Sequence, residues 1–184
     1  MGEVAERLEG PRTVLVRLAP EHASQLRAIR AQPEVARWWH DDDAFPLHDE
    51  PDAVRYTVLC RDPAASDGVD PRPRGMVQFA EEDTPEYRHA GIDIFLDPAL
   101  HGRGFGREVV GVVAAYLVDV LGHHRVTIDP AATNAQAIAC YTAVGFRPVG
   151  VMREYELGPD GTFHDGLLMD LLRDELTQAK SRRA

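Results

Sequence analysis

Lysine is almost absent from this chain of 184 residues, since Lys180 is the only one and all other positive charge is arginine. A P-loop, a pyridoxal Schiff base and a lysine nucleophile each need a lysine in the folded body, so these sites are excluded there. Serine is scarce as well. Ser24, Ser66 and Ser181 all lie outside any Gly-x-Ser-x-Gly segment, which argues against a serine hydrolase.

Cysteine is equally rare. Cys60 and Cys140 are too few for a disulfide framework or a zinc ribbon, so we expect a reducing compartment. The eight histidines include no His-Glu-x-x-His spacing, and no metal site is predicted. There is no run of about 18 apolar residues, so no membrane association is predicted and we expect a cytoplasmic protein.

Negative charge is in excess, because 20 Lys and Arg residues stand against 30 Asp and Glu residues, a net charge of -10. Nucleic-acid phosphates bind basic faces, so no nucleic-acid partner is expected and a cationic partner is favoured. The length is typical of one domain. We expect a tail over 1–12, one domain over 13–176 and a basic tail over 177–184.

The hydrophobic pattern predicts a mixed sheet with helices on both faces. A Thr133-x-x-Gln136 capping box opens a predicted helix that ends before Gly145. Loops are predicted over 40–52 and 62–74, which are rich in proline and acidic residues. The predicted strands are 13–18, 54–61, 75–80, 90–96, 125–129, 146–157 and 163–172, and the predicted helices begin at Pro20, near Pro33, at 104 and at 133.

A glycine-rich stretch joins the strand 90–96 to the helix 104–121. Alternate glycines let backbone N–H groups converge, and a helix N-terminus adds partial positive charge, so a phosphate or pyrophosphate is the expected ligand. The alternative is a turn that only packs helix against strand. A dinucleotide fingerprint would need glycine where Arg107 stands, and a Walker A loop would need a Gly-Lys pair, so both are excluded.

Two blocks carry a resemblance to a known family. His101-Gly102-Arg103-Gly104-Phe105-Gly106 resembles the acetyl-CoA signature Gln/Arg-x-x-Gly-x-Gly/Ala of the GNAT acetyltransferase superfamily, with His101 as a departure. The stretch from Asn134 to Phe146 resembles that superfamily's Asn-x-x-Ala-x-x-x-Tyr-x-x-x-Gly-Phe segment. The resemblance covers residues 13–172.

The resemblance implies an α/β (α+β) GNAT-type fold, with a mixed, mostly antiparallel sheet of six to seven strands and helices on both faces. It also implies acetyl-CoA as co-substrate. The residues that it implies for binding acetyl-CoA are Ile94, Phe95, Leu96, His101, Gly102, Arg103, Gly104, Phe105, Gly106, Arg107, Asn134, Ala137 and Tyr141.

Two residues are candidates for the chemistry. Tyr141, with an ordinary pKa of about 10, can protonate a thiolate, and the matching tyrosine is commonly the general acid of the superfamily. The alternative is an ordinary core aromatic. Asp93 interrupts an apolar strand, where alternation puts it on the same side as Phe95 and opposite Ile92 and Ile94. It is a candidate base or ammonium anchor, and the alternative is a solvated carboxylate.

Gly91-Ile92-Asp93, Trp38-Trp39 and Asp129-Pro130 together resemble the aminoglycoside 6′-N-acetyltransferase branch of the superfamily. In that branch the strand aspartate is the proposed base or anchor. Asp129 is then expected to bind a second ammonium. We expect one tryptophan to stack on a sugar and the other to fill the core. The expected substrate-binding residues are Trp38, Trp39, Asp43, Glu81, Glu82, Asp93 and Asp129, although the acidic clusters are also typical of solvated loops.

The sequence thus favours an N-acetyltransferase that acts on the 6′-amine of an aminoglycoside by direct attack in a ternary complex. The expected partner is a small polycationic amine, and the protein is expected to be a monomer or a homodimer. A GNAT enzyme for another amine, such as a siderophore lysine side chain or a peptide terminus, is one alternative. A non-catalytic acyl-CoA sensor is another.

Overall fold

The computed structural model describes residues 4–39, 45–46 and 53–176. Within these ranges eight strands form one sheet in the order β1-β2-β3-β4-β5-β6-β8-β7. All neighbouring strands are antiparallel except β5 and β6, which are parallel. The strands are β1 (Arg7–Glu9), β2 (Thr13–Arg17), β3 (Ala53–Arg61), β4 (Val69–Glu82), β5 (His89–Leu96), β6 (Arg125–Ile128), β7 (Arg147–Leu157) and β8 (Phe163–Leu172).

The expected mixed, mostly antiparallel sheet is confirmed, but the expected count of six to seven strands is too low. The additional strand, β1, lies in the segment 1–12 that the sequence assigned to a tail, and it pairs with β2 through Leu8 and Leu15. Leu8 is the only buried residue of its three. Such a short alternation gives no usable signal in the sequence.

Strand β4 also begins earlier than predicted, at Val69 instead of Gly75. Its first residues belong to the predicted loop 62–74, which contains Pro71 and Pro73. The pairing of β4 with β3 shifts register between the Asp70–Cys60 and Gly75–Val58 pairs. The prolines lie in this irregular interval, where a missing backbone donor interrupts no regular ladder.

Helices cover both faces of the sheet, as expected. They are α1 (Ala23–Arg30), α2 (Pro33–Ala36), α3 (Phe105–Asp119) and α4 (Ala135–Val144). Consecutive residues of β4 reach opposite cores, since Met76 packs with α1 residues while Val77 packs with α3 residues. This alternation is the pleat of a strand buried on both faces. An apolar stripe was expected along 104–121, and Val109, Val110, Val113 and Leu117 of it are fully buried, whereas Val120, just after the end of α3, is 66% exposed.

Helix α4 begins one residue away from the predicted capping box. The N-cap is Asn134, and its side-chain oxygen accepts a hydrogen bond from the Ala137 backbone N–H at 3.1 Å. The predicted Thr133-Gln136 box is therefore wrong. Asparagine is as good an N-cap as threonine, so the local sequence does not decide between the two positions.

The parallel pair at the centre of the sheet separates along its length. Strands β5 and β6 pair only at Ala90–Val126 and Gly91–Thr127. Beyond this point β5 continues to Leu96 and stays paired with β4 alone. The half of β5 from Ile92 onward therefore has an open edge that faces away from β4, and the loop to α3 starts at the end of this edge.

Candidate active site

The glycine loop between β5 and α3 has the backbone expected of an anion cradle. Gly102 and Gly104 have φ values of 68° and 81°, in the left-handed region that favours glycine. A Cβ atom at Gly102 would meet no atom within 4 Å, so this side of the loop is open. Gly104 is the N-cap of α3, whose first N–H groups lack intrahelical partners. An anion that lies against this loop would meet those donors.

The third glycine of the loop, Gly106, allows α3 and α4 to pack closely. A Cβ atom on Gly106 would lie only 3.2 Å from the Cys140 Sγ atom, so a side chain here would push α3 away from α4.

His101, the departure from the family signature, holds the loop against β5 through a hydrogen bond. Its Nε2 lies 3.0 Å from the Leu96 carbonyl oxygen, to which it can donate a hydrogen bond. The imidazole therefore fastens the loop to the end of β5.

Behind the loop, Arg12 and Glu108 join β2 to α3. The Arg12 backbone N–H and Nε donate to the Glu108 carboxylate at 2.7 and 2.8 Å, and the Thr13 hydroxyl lies 2.9 Å from the same group. Burial alone would raise the pKa of Glu108, but these hydrogen bonds outweigh it and lower that pKa below its ordinary value. Sequence reasoning missed this connection, because the partners are far apart in the chain.

A cleft of about 400 Å³ extends along the open edge of β5, the glycine loop and α4. It brings together most of the residues expected to bind acetyl-CoA, and it also takes in both tryptophans. The predicted site residues that line it are Trp38, Trp39, Ile94, Phe95, Leu96, His101, Gly102, Gly104, Gly106, Arg107, Asn134, Ala137 and Tyr141.

Arg103 and Phe105 do not line this cleft. The Arg103 guanidinium donates to the Ala99 carbonyl at 3.2 Å, and Arg103 presents its own carbonyl to Arg12 at 3.0 Å. Phe105 is buried, and the Arg12 guanidinium lies 4.2 Å from the centre of its ring. Both residues therefore contact Arg12 and stabilise the loop on the side away from the cleft.

Tyr141 lines the cleft, and its ring is buried with its centroid 6.4 Å from that of Phe146. Burial, with smaller contributions from Cys140, Asp93 and Asp129, raises the pKa of Tyr141 above its ordinary value of 10.0. The phenol therefore keeps its proton throughout the physiological pH range. Asp93 and Asp129 thus act on Tyr141 electrostatically, although neither of them lines the cleft.

Asp93 is exposed, and its neighbours on adjacent strands orient it. The Gln78 Nε2 donates to the Asp93 Oδ2 at 3.2 Å, and the Gln78 Oε1 accepts from the Arg55 Nε at 3.0 Å. Because a guanidinium only donates, it fixes which end of the Gln78 amide faces Asp93. The alternation expected along β5 is confirmed, since Phe95 and Ile92 belong to opposite cores.

Asp129 follows β6 and is half-buried. Its partner is Tyr155 of β7, which sequence reasoning missed. A hydrogen bond to the Asp129 carboxylate, together with partial burial, raises the pKa of Tyr155 to about 12. Asp93 also contributes to this rise. Two aspartates and two tyrosines thus form one electrostatic group beside the cleft.

The two tryptophans have different environments. Trp39 meets the Phe95 ring edge-on, with centroids 5.2 Å apart, and packs against the core on the α1 face. Trp38 is half-buried, and the Arg37 guanidinium lies 4.7 Å from its ring centre.

The acidic pair at the end of β4 lies elsewhere. Glu81 forms a 2.6 Å contact with Nε2 of the buried His123, and Glu82 accepts from the Thr84 backbone N–H at 2.8 Å. Neither lines the cleft, because both pair with the first residues of β5, far from the glycine loop. Asp43 lies outside the described residues.

Comparison with known proteins identifies the family. The model of the GNAT acetyltransferase domain matches residues 12–147. The chain belongs to the GNAT acetyltransferase family. This family uses acetyl-CoA, and a solved structure of the same fold, spermidine N-acetyltransferase from Vibrio cholerae, contains CoA and spermine. That structure has a TM-score of 0.70, 18% identity, and covers 90% of this chain and 98% of its own.

Relatives of this GNAT protein carry different names. It is 32% identical to the mycothiol acetyltransferase of Salinispora arenicola over 67% of this chain and 39% of that protein. It is 35% identical to the N-alpha-acetyltransferase RimI of Mycobacterium tuberculosis over 39% of this chain and 43% of RimI. The chain thus spans less than half the length of both. It is 28% identical to the aminoglycoside N(6′)-acetyltransferase type 1 of Klebsiella pneumoniae over 81% of this chain and 79% of that protein.

The fold is equally well represented among solved structures. A Thermus thermophilus acetyltransferase structure matches with a TM-score of 0.80 and 23% identity, and covers 99% of this chain and 97% of its own. Among the described residues, no helix combines the length and apolar character needed to cross a membrane.

Proposed function

We propose that this protein is an acetyl-CoA-dependent N-acetyltransferase that acts on a primary amine of a polycationic acceptor, with the 6′-amine of an aminoglycoside as the best candidate. The observation that carries the proposal is that Asp93 and Asp129 both act electrostatically on Tyr141, the buried and protonated phenol that lines the cleft. Two carboxylates suit an acceptor with more than one ammonium. The net charge of -10 favours the same class of acceptor.

The residues present fit acetyl-CoA. The left-handed Gly102 and Gly104 open the loop, and the N-terminus of α3 supplies backbone donors for a diphosphate. The open edge of β5 and the adjoining face of α4 would hold the remainder of the ligand along the cleft. When bound, acetyl-CoA supplies an acetyl group activated as a thioester.

The side chains of this protein supply binding and a proton. Asp93 binds the acceptor ammonium, since the hydrogen bond from Gln78 orients its carboxylate. This amine loses one proton to water before it reacts, because only the neutral amine is a nucleophile. Asp129 binds a second ammonium. Tyr141 holds a proton on its hydroxyl in the cleft and gives it to the thiolate that leaves in the transfer. We therefore favour an anchoring role for Asp93 over that of a general base.

The deciding experiment measures thiol release from acetyl-CoA with an amine panel. We expect turnover with kanamycin or tobramycin and little with lysine derivatives or an alanyl peptide. The reverse preference would refute the aminoglycoside assignment and favour a peptide terminus, the acceptor class that the name N-alpha-acetyltransferase gives to the RimI relative.

Two variants test the roles of the residues. We expect Tyr141→Phe to lower kcat by about 10²-fold, the usual size of a general-acid contribution, and to change acetyl-CoA binding far less, because phenylalanine keeps the ring that lines the cleft. We expect Asp93→Asn to act chiefly on the KM of the amine. Unchanged turnover in both variants would contradict these roles and favour a non-catalytic acyl-CoA sensor.

A further inference from the structure

Tyr155 lies in an irregular part of the β7–β8 hairpin. The pairing shifts register between Met152–Gly166 and Glu156–His164, so three residues of β7 lie opposite Asp165 alone. Within this bulge Glu154 has a φ of 48°, and no other non-glycine residue of the described ranges has a positive φ. Bulges redirect side chains and are frequent beside active sites.

Contacts on both sides hold the bulge in this conformation. The Glu154 backbone N–H donates to the Asp165 Oδ1 at 2.9 Å. The Tyr155 ring lies over Gly166, where a Cβ atom would come within 2.9 Å of the Tyr155 Cδ1 atom. The ring therefore occupies the space of a missing side chain. An unfavourable backbone conformation that is fixed in this way is typical of functional sites.

The same residues of β8 hold the segment that follows Asp129. The Leu167 backbone N–H donates to the Pro130 carbonyl at 2.8 Å, and the Ala132 N–H donates to the Asp165 carbonyl at 2.8 Å. Gly166 also forms an isolated bridge with Ala131. This part of β8 therefore contacts both the bulge that carries Tyr155 and the segment that follows Asp129.

We propose that Tyr155 is a positioning residue that holds the Asp129 carboxylate toward the acceptor, and that this pair sets the preference for amines with a second ammonium group. The inference rests on the proposed function and adds to it the source of polyamine selectivity. Tyr155 is 51% exposed, so an acceptor can reach the pair from solvent. Since the pKa of Tyr155 is about 12, its hydroxyl remains a hydrogen-bond donor at any practical assay pH.

The kinetic test compares Tyr155→Phe with wild type on two acceptors, tobramycin and the monoamine 6-amino-6-deoxyglucose. We expect the KM for tobramycin to rise about tenfold, the usual effect of losing a hydrogen bond to a charged group. The KM for the monoamine, the KM for acetyl-CoA and kcat should change less than about twofold. Tyr87→Phe is the matched control, because Tyr87 is 74% exposed in the turn between β4 and β5.

Equal changes for both acceptors, or no change for tobramycin, would overturn the proposal. A second measurement needs no substrate. Tyr155→Phe should lower the melting temperature of the wild type but not that of the Asp129→Ala variant, and equal losses in the two backgrounds would also overturn the pairing. If the wild type acetylates no aminoglycoside, the proposed function fails, whereas the melting-temperature comparison still decides whether Tyr155 acts on Asp129.

Discussion

At the scale of single residues, Asp93 depends on neighbours that the sequence does not bring near it. Gln78 lies directly opposite Asp93 in the register of β4 and β5, and Arg55 lies opposite Gln78 in the register of β3 and β4. The three side chains therefore form a row across the sheet on one face. Asp93 stands out in the sequence because it interrupts an apolar strand, but nothing in the sequence marks Gln78.

Gln78→Leu tests this row. The change removes the amide that donates to Asp93, so we expect the KM for the amine to rise by up to about tenfold. Binding of acetyl-CoA, measured by calorimetry, should stay unchanged, since Gln78 does not line the cleft. An unaltered KM for the amine would contradict a positioning role for Gln78.

At the scale of elements, the loop and helix α3 use glycines for different reasons. Gly104 has a left-handed backbone at the start of the helix, and Gly106 allows α4 to pack closely. Gly111 has no positive φ, and a Cβ atom there would meet no neighbour. The sequence displays all of these glycines alike. Only the backbone conformation and the packing distances separate the residue that shapes the ligand loop from the one that can be replaced.

Gly104→Ala and Gly111→Ala form a matched pair on α3. Gly104→Ala should destabilise the protein by about 1–2 kcal/mol, because a side chain disfavours its φ of 81°. It should also weaken acetyl-CoA binding. Gly111→Ala should stabilise the protein by about 0.5–1 kcal/mol, since a Cβ atom there meets nothing within 4 Å. Denaturant unfolding and calorimetry measure both effects, and similar outcomes for the two variants would refute the distinction.

Glu108 makes the connection between β2 and α3 sensitive to acid. Its folded-state pKa is lowered, so its stabilising contribution is full above the unfolded pKa of about 4.3 and is lost as pH falls through the lower folded value. We expect Glu108→Gln to cost about 1–2 kcal/mol at neutral pH and progressively less as the pH falls below about 4. Urea unfolding at several pH values measures this. A cost that is independent of pH would contradict it.

At the scale of the whole molecule, the separation of β5 from β6 creates the site. The parallel pair provides the opening, the loop closes one end of it, and α4 and the tryptophans form its walls. The acidic residues Glu81 and Glu82 at the end of β4 remain outside the cleft, so we expect their charge to act on an acceptor only at long range.

Ionic strength tests this long-range effect. Raising the salt concentration from about 0.02 M to about 0.2 M should increase the KM for a polycationic acceptor several-fold, because screening weakens attraction by the net charge of -10. A monoamine acceptor should respond far less. Equal responses of the two acceptors in thiol-release assays would argue against electrostatic attraction.

The sequence by itself determined the family, the glycine loop and most of the buried face of α3, and it singled out Asp93, Asp129 and Tyr141 as candidates. Each of these rests on a short stretch of chain, where periodicity, turn chemistry or a contiguous motif carries the information. The buried positions of α3 and the two faces of β5 were predictable for that reason.

The tertiary structure decided what depends on residues far apart in the chain. In the folded chain Tyr155 interacts with Asp129, and Glu81 pairs with His123 instead of lining the cleft. Strand β1 joins the edge of the sheet. Strand register and a backbone bulge set these contacts, and both arise from packing summed over the whole sheet. Local sequence does not encode which distant side chain a register brings opposite, so these residues became visible only in the folded chain.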